Sequence, residues 1–175
     1  VNNSSGQILP SETFFKAHID LLQKPVIPII GIPGHRILIN ENGKAISSRS
    51  ILPLAMRWFI RSIGLSSVKQ QDRRALASFL RKRKINAVLA EYGPAAVSVM
   101  DACEDADVPL IAHFHGFDAY KHDIISSYRN DYLKLFNQAS AIIAVSNHMK
   151  TQLLSLGAKE SNTFVNSCGA DIPEN

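Results

Sequence analysis

The sequence has little cysteine, little charge and no long apolar run, and each shortage excludes a class of protein. Its two cysteines, Cys103 and Cys168, lie far apart and lack the CxxC spacing of common zinc and redox sites. Charged residues make up 19% of the chain and apolar residues 46%, which is the composition of a globular domain. No apolar stretch approaches the roughly 18 residues of a membrane span, and no signal peptide pattern opens the chain. We therefore expect a cytoplasmic protein with reduced, buried thiols.

Strand-length apolar runs alternate with helical patterns along most of the 175 residues. A continuous apolar strand that is followed by a helix is typical of a parallel sheet covered on both faces. The length fits one such domain. The sequence predicts a doubly wound α/β fold with a mostly parallel sheet. Its strands are expected near 26–30, 87–90, 110–114, 141–145 and 163–165, its main helices at 51–63, 70–84, 95–106, 124–137 and 147–156, and a small hairpin at 36–47.

Small and polar residues concentrate in the loops that leave the carboxyl ends of these strands, where such sheets bind ligands. The segment that contains Ser5 and Gly6 is either a ligand loop or an ordinary turn, because a single glycine is a weak signal. Glu91 and Tyr92 follow one strand, and Ser146 follows another. Ser146 also precedes a helix, where it would serve as an N-cap, and no GxSxG elbow surrounds it.

The segment 113–118 carries the richest chemistry of these loops. His113 falls within the strand and is interpreted as a structural histidine. His115 falls just beyond the strand, so its ring is expected to be exposed in the cleft, beside Gly116, which leaves room for a ligand. Asp118 could accept from hydroxyl groups or hold a histidine tautomer. A metal site on His113, His115 and Asp118 is a competing hypothesis, but no recognisable zinc spacing supports it, and we expect neither metal nor cofactor.

Asp105-Ala106-Asp107 has the form of a DxD motif, which in some enzymes binds a metal and a diphosphate. Here it ends a helix just before a strand, at the amino end of the sheet and away from the expected cleft. We interpret it as a solvated helix end.

Basic residues are concentrated in one segment. Between Arg57 and Lys84 the chain has nine basic residues and one acid, whereas the whole chain has a net charge of only +4. A local patch of this kind does not indicate general nucleic-acid binding. The patch is either a solvated helix face or a contact for an anionic membrane surface. The residues proposed for that contact are Arg73, Arg74, Arg81, Lys82, Arg83 and Lys84.

Five segments, in order along the whole chain, resemble motifs of the retaining bacterial glycosyltransferases of family 4. The segment from Val108 to Asp118 is similar to their "PLI…HGxD" segment. The segment from Ala144 to Ala158 resembles their "AVSxxMxxxLxxLGA" helix, and the segment from Asn166 to Asp171 their closing "xNGVD". The other two matches are Ser11-Glu12-Thr13-Phe14 and Ala90-Glu91-Tyr92-Gly93-Pro94.

This resemblance implies the N-terminal, acceptor-side, Rossmann-like lobe of a two-lobed GT-B enzyme, with a C-terminal donor-binding lobe outside this chain. Such an enzyme transfers a sugar from a nucleotide-sugar donor to a sugar or lipid-linked acceptor. By resemblance, His115 would face the transferred sugar. Donor contacts would come from Ser5, Gly6, Gly116 and Ser146, and acceptor contacts from Glu91, Tyr92 and Asp118.

Two other classes stay open from the sequence. One is a stand-alone, doubly wound ligand-binding module, and the other is half of a sugar-nucleotide epimerase of the same architecture. The sugar, the nucleotide base and the acceptor have no signature in these residues.

Overall fold

The computed structural model describes residues 26–31, 38–39, 46 and 68–167. The chain divides into two compact units, Val1–Leu76 and Ala77–Asn175. In the first unit, β1 (Ile30–Gly31) pairs antiparallel with β2 (Leu38–Ile39), and Ile30 lies opposite Ile39. The prediction that 26–30 joins the parallel sheet is therefore wrong. The predicted hairpin is also wrong in its pairing, because 38–39 pairs with the preceding apolar run and Ile46 is not in a strand.

The first described helix, α1 (Val68–Lys82), is amphipathic as predicted. Its apolar stripe buries Leu76, Ala77 and Leu80. Arg81 and Lys82 lie in its last turn, where positive charge interacts favourably with the helix dipole. This placement alone explains part of the basic pattern without any ligand.

The second unit is built on a four-stranded parallel sheet in the order β3-β4-β5-β6. The register places Glu91 beside His113 and Phe114 beside Ala144. This all-parallel arrangement with intervening helices confirms the predicted α/β, Rossmann-like class. The predicted strand positions differ from the structure by at most one residue. The strands are β3 (Val88–Glu91), β4 (Leu110–Phe114), β5 (Ala141–Ala144) and β6 (Thr163–Val165).

Four helices follow the strands of this sheet. They are α2 (Gly93–Ala106), α3 (Phe117–Tyr120), α4 (His122–Gln138) and α5 (Asn147–Ser155), and a short 3₁₀ helix (Glu160–Asn162) precedes β6. Phe114 from β4 packs against Tyr132 and Phe136 from α4, with ring centroids 5.5 Å and 6.0 Å apart. All three side chains are buried and form the aromatic centre of the core. Among the described residues, no helix is long and apolar enough to cross a bilayer.

Two sequence interpretations are confirmed in α2. The helix ends at Ala106, and Asp107 follows it in a left-handed conformation with an exposed side chain. The DxD segment is therefore a helix end that leads into the amino end of β4. Cys103 is buried in the same helix, and burial raises the pKa of its thiol to about 11. Cys168 lies outside the described residues.

Gly93 allows the first turn of α2 to pack directly on the aromatic core. A Cβ at this position would lie 2.5 Å from Phe114 Cε1 and 2.6 Å from the Tyr132 hydroxyl oxygen. Both neighbours are buried rings that cannot move aside cheaply.

We expect Gly93→Ala to lower the free energy of unfolding by about 1–3 kcal/mol, because the added methyl group overpacks the core. Urea denaturation monitored by far-UV circular dichroism measures the change. Ala95→Ser, at an exposed position of the same helix, is the matched control and should lie within about 0.5 kcal/mol of the wild type. An unchanged unfolding midpoint for Gly93→Ala would contradict this account of the packing.

Candidate functional site

The carboxyl ends of the four parallel strands meet at one edge of the sheet, and the polar loops predicted from the sequence leave from that edge. Tyr92 follows β3, His115 and Gly116 follow β4, and Ser146 lies just beyond β5. The backbone ladder continues a little past the strand ends, because Tyr92 N donates to His113 O at 2.8 Å. Ser5 and Gly6, the expected donor loop, lie outside the described residues.

Glu91 forms the centre of the site by contacting two histidines at once. Its Oε2 lies 2.7 Å from His115 Nε2 and 3.0 Å from His113 Nδ1. The parallel register explains this convergence, since Glu91 and His113 are direct neighbours on adjacent strands. The two imidazole rings are tilted against each other with centroids 4.1 Å apart. The sequence predicts a structural role for His113 and a cleft position for His115, whereas in the structure both contact one carboxylate.

The expectation that His115 is an exposed cleft side chain is wrong. Only 6% of its side chain is exposed. The Glu91 carboxylate, the His113 ring and the edge of the Tyr92 ring, 5.0 Å away between centroids, enclose it. His115 is therefore an oriented group with little accessible surface. His113, buried to 2% exposure, agrees with its interpretation as a residue held by the fold.

Tyr92 connects β3 to α2 in a conformation that tyrosine rarely adopts, with φ 77° and ψ 140°. A side chain with a Cβ in this region of positive φ costs of order 1–3 kcal/mol and persists only where surrounding contacts enforce it. Here those contacts are the hydrogen bond from its own N–H to His113 O and ring contacts with His115 and Phe117, both at 5.0 Å. Backbone strain of this kind occurs most often at functional sites.

Asp118 connects the loops of the site by accepting hydrogen bonds from their backbone N–H groups. Its Oδ1 accepts from the backbone N–H groups of His115 at 3.0 Å and Gly116 at 2.9 Å, and its Oδ2 accepts from Gly93 at 2.9 Å. The residue is fully buried. The interpretation of Asp118 as an acceptor contact does not fit this position, because its carboxylate already binds three N–H groups and has no accessible surface.

Gly116 is required for its backbone conformation. Its φ is 135°, which residues with a Cβ rarely adopt, whereas a Cβ there would meet nothing within 4 Å. This conformational reason for glycine stands beside the expectation that Gly116 leaves room for a ligand, which stays a prediction. The turn it allows brings two adjacent N–H groups, those of His115 and Gly116, onto one oxygen of Asp118.

Tyr132 supports the same loop from α4 by donating its hydroxyl hydrogen to Asp118 O at 2.9 Å. Burial, with a further contribution from the negative charge of Asp118, raises the pKa of the Tyr132 phenol well above its usual range. The phenol therefore stays protonated and remains a donor at any ordinary pH.

A second group of side chains lies near the start of α5. Ser146 is its N-cap, and its hydroxyl oxygen accepts from Met149 N at 3.1 Å, as the sequence suggested. His148 stacks on Tyr120 with centroids 5.6 Å apart and planes inclined by only 5°. No sequence pattern predicts this exposed aromatic pair, because its members are 28 positions apart in the chain and share no motif.

Within the part of the chain that the structure describes, Glu91, His113 and His115 have metal-ligating atoms that all lie within 4.8 Å of one another. Two imidazoles and a carboxylate are ligand types that zinc accepts. The competing hypothesis from the sequence placed Asp118 in this set, but the structure places Glu91 there instead and engages Asp118 with backbone N–H groups.

The basic residues near the end of α1 have different surroundings. Arg74, Arg81, Lys82, Arg83 and Lys84 are exposed, and Arg73 is half-buried. Arg81 also donates to the carbonyl oxygen of Asp105, and the Arg83 guanidinium lies 5.9 Å from the centre of the Phe79 ring. Lys84 leaves the helix with a positive φ of 52°.

A parallel α/β sheet with intervening helices, which carries a buried carboxylate, a histidine pair and a strained tyrosine at its carboxyl edge, defines a Rossmann-like domain. Comparison with known families gives a more specific identification, because the model described as Glycosyltransferase Family 4 matches residues 40–173. The chain belongs to this family. No curated protein and no solved structure matched the chain.

We expect Asp118→Asn to lower the free energy of unfolding by about 2–4 kcal/mol, because the amide loses the charge and one of the two acceptor oxygens that bind N–H groups. Chemical denaturation measures the loss. Asp123→Asn is the matched control, since Asp123 is exposed and its carboxylate lies 3.3 Å from the Lys121 ammonium, and its unfolding midpoint should stay near that of the wild type. Equal midpoints for the two variants would show that the three contacts contribute nothing.

Proposed function

We propose that the chain is the N-terminal, acceptor-side lobe of a retaining glycosyltransferase of the hexosyltransferase type. The complete enzyme would take a nucleotide-sugar donor, held mainly by a C-terminal lobe, and a sugar or lipid-linked acceptor. Synthesis of a cell-surface polysaccharide or glycolipid is the setting we propose. Membership of glycosyltransferase family 4 supports the general class of reaction.

The single observation that carries the assignment of the site is the fixed His115 ring at the carboxyl edge of the sheet. Glycosyl transfer passes through a positively charged, oxocarbenium-like sugar with a departing phosphate, and it needs oriented polar groups more than a strong base. A histidine with 6% exposure, held by a carboxylate at 2.7 Å, is such a group. We propose that this ring contacts a hydroxyl of the transferred sugar.

The neighbouring loops have separate roles in this proposal. Tyr92 would contribute an aromatic face for the acceptor, because its ring already lies against His115 and Phe117, and the latter is 43% exposed. Ser146 would contact the donor, since its hydroxyl can donate its own hydrogen while accepting from Met149 N. Ser5, Gly6 and Gly116 remain proposed donor contacts by resemblance to the family, and Glu91 would act on the sugar through His115.

We expect His115→Ala to lower the turnover of the full-length enzyme by about 10²–10³-fold, the cost of losing one preorganised polar group. The assay is release of nucleoside diphosphate from a panel of UDP- and GDP-sugars in the presence of acceptor. Because His115 is enclosed, the melting temperature should also fall, so rates are compared well below both melting temperatures. His122→Ala, at an exposed histidine that begins α4, is the control and should retain wild-type turnover. Activity lost only in proportion to the unfolded fraction would reject the assignment.

We also propose that the exposed cations at the end of α1 contact the anionic inner face of the cell membrane, which would give a cytoplasmic protein with a peripheral membrane contact. Basic residues near such a surface contribute about 1 kcal/mol each. Lys82, Arg83 and Lys84 are consecutive and exposed. Arg81 contributes less in this arrangement because it already donates to the Asp105 carbonyl oxygen.

Co-sedimentation with vesicles tests this contact. The protein should bind vesicles that contain phosphatidylglycerol, bind less as salt rises, and not bind vesicles of phosphatidylcholine alone. The triple variant Lys82→Gln, Arg83→Gln, Lys84→Gln should lose this binding. A control triple at exposed cations elsewhere, Lys121→Gln, Arg129→Gln and Lys159→Gln, removes the same charge and should retain it. Equal binding by the two triples, or equal binding to neutral vesicles, would reject the proposal.

A further inference from the structure

We propose that Glu91 is a positioning residue that fixes the tautomer and the ring orientation of His115. His113 is a second hydrogen-bond partner of the same carboxylate oxygen. The effect of this positioning on catalysis rests on the proposed function, whereas the assignment of the ring hydrogens does not depend on it. Sequence resemblance suggested that Glu91 contacts the acceptor. The geometry points instead to an action through His115, whose Nε2 lies 2.7 Å from Glu91 Oε2.

The chemistry of a carboxylate determines which nitrogens carry hydrogen. An ionised carboxylate can only accept hydrogen bonds. Both contacts of Glu91 Oε2 must then receive a hydrogen, one from His115 Nε2 and one from His113 Nδ1. In a neutral imidazole only one nitrogen carries a hydrogen. The arrangement therefore selects the Nε2–H tautomer of His115 and the Nδ1–H tautomer of His113.

The same three side chains could in principle surround a metal ion, but the distances favour shared hydrogens. Zinc bonds of 2.0–2.1 Å in tetrahedral geometry separate neighbouring ligand atoms by about 3.3 Å. The observed oxygen-to-nitrogen separations are 2.7 Å and 3.0 Å, both within the hydrogen-bond range. A metal would also need the lone pairs of these nitrogens, which would displace the hydrogens that now bind Glu91.

Backbone contacts hold this carboxylate in place. Glu91 is the last residue of β3, and the ladder keeps it opposite His113. The strained Tyr92 comes next, and its N–H continues the ladder to His113 O. On the other strand, the backbone N–H of His115 is bound by Asp118. Both ends of the Glu91–His115 contact are therefore attached to a fixed backbone, as an orienting group requires.

The consequence for the reaction follows from the selected tautomer. With hydrogen on Nε2, the acceptor atom of the neutral His115 ring is Nδ1. The ring can then accept a hydrogen bond from a sugar hydroxyl, and the Glu91 charge strengthens that acceptor through the ring. In the opposite tautomer Nδ1 would carry a hydrogen and could not accept a hydrogen bond from the same hydroxyl. In many active sites a catalytic base is held in its orientation by a third side chain.

The tautomer is measured by long-range proton–nitrogen correlation spectra of the full-length protein, with isotope-labelled histidine, at a pH where both rings are neutral. Signals of His115 are assigned by comparison with His115→Ala. In the wild type we expect hydrogen on His115 Nε2 and on His113 Nδ1. In Glu91→Gln the amide oxygen can still accept both hydrogens through its two lone pairs, but the negative charge that favours hydrogen on these two nitrogens is lost. His115 should then populate the Nδ1–H form.

Turnover provides the second measurement. Glu91→Gln should lower kcat by about 10- to 100-fold, the order of loss that follows removal of a group that orients a metal-bound histidine, with little change in the melting temperature. Asp101→Asn is the matched control, because it also neutralises an ion-paired carboxylate, 2.6 Å from Lys134. It should change neither the histidine tautomers nor kcat.

Three results would overturn the inference. These are a wild-type His115 in the Nδ1–H form, a Glu91→Gln variant with unchanged tautomers or unchanged kcat, and stoichiometric calorimetric binding of Zn²⁺ that disappears in Glu91→Gln and in His115→Ala. Failure of the proposed function has a different signature. If no nucleotide sugar supports transfer by the wild type, the reaction assignment fails, and the tautomer measurement alone decides the role of Glu91.

Discussion

The buried carboxylate of Asp118 is the interaction on which the rest of the site depends. It joins the amino end of α2 to the turn after β4, because its two oxygens bind Gly93 N on one side and the N–H groups of His115 and Gly116 on the other. A carboxylate that lost these donors in the interior would be left with a large desolvation cost. The two loops must therefore keep their relative position, and the side chains they carry keep theirs.

Much of the fold followed from the sequence, and the exceptions have a common cause. Continuous apolar runs at 110–114 and 141–144 predicted buried parallel strands, and the structure has them there. The same reasoning failed at 26–30, because an apolar run does not specify its pairing partner and Ile30 pairs with Ile39. The short helix Phe117–Tyr120 was also missed, since four residues give no helical periodicity.

Residue types at the carboxyl edge were enough to locate the candidate site, but not to give its internal contacts. His115 and Glu91 were selected because each follows a strand. Their contact depends on strand register, which is set by the pairing of β3 with β4 and cannot be read from two residues that are 24 positions apart in the chain. The burial of Asp118 likewise depends on the turn at Gly116. Polar residues in a loop are naturally interpreted as ligand contacts, and three-dimensional packing decides which of them face inward.

Tyr92 sets backbone strain against side-chain contacts at one position. A glycine there would adopt φ 77° without strain and would make folding easier. It would also remove the ring that encloses His115 and contacts Phe117. Thermostabilising selection that is blind to activity should therefore favour glycine at this position, at the expense of the enclosed histidine. The backbone of Tyr92 is strained and its side chain is large. At this residue the fold loses part of its folding free energy, and one aromatic ring is kept in position.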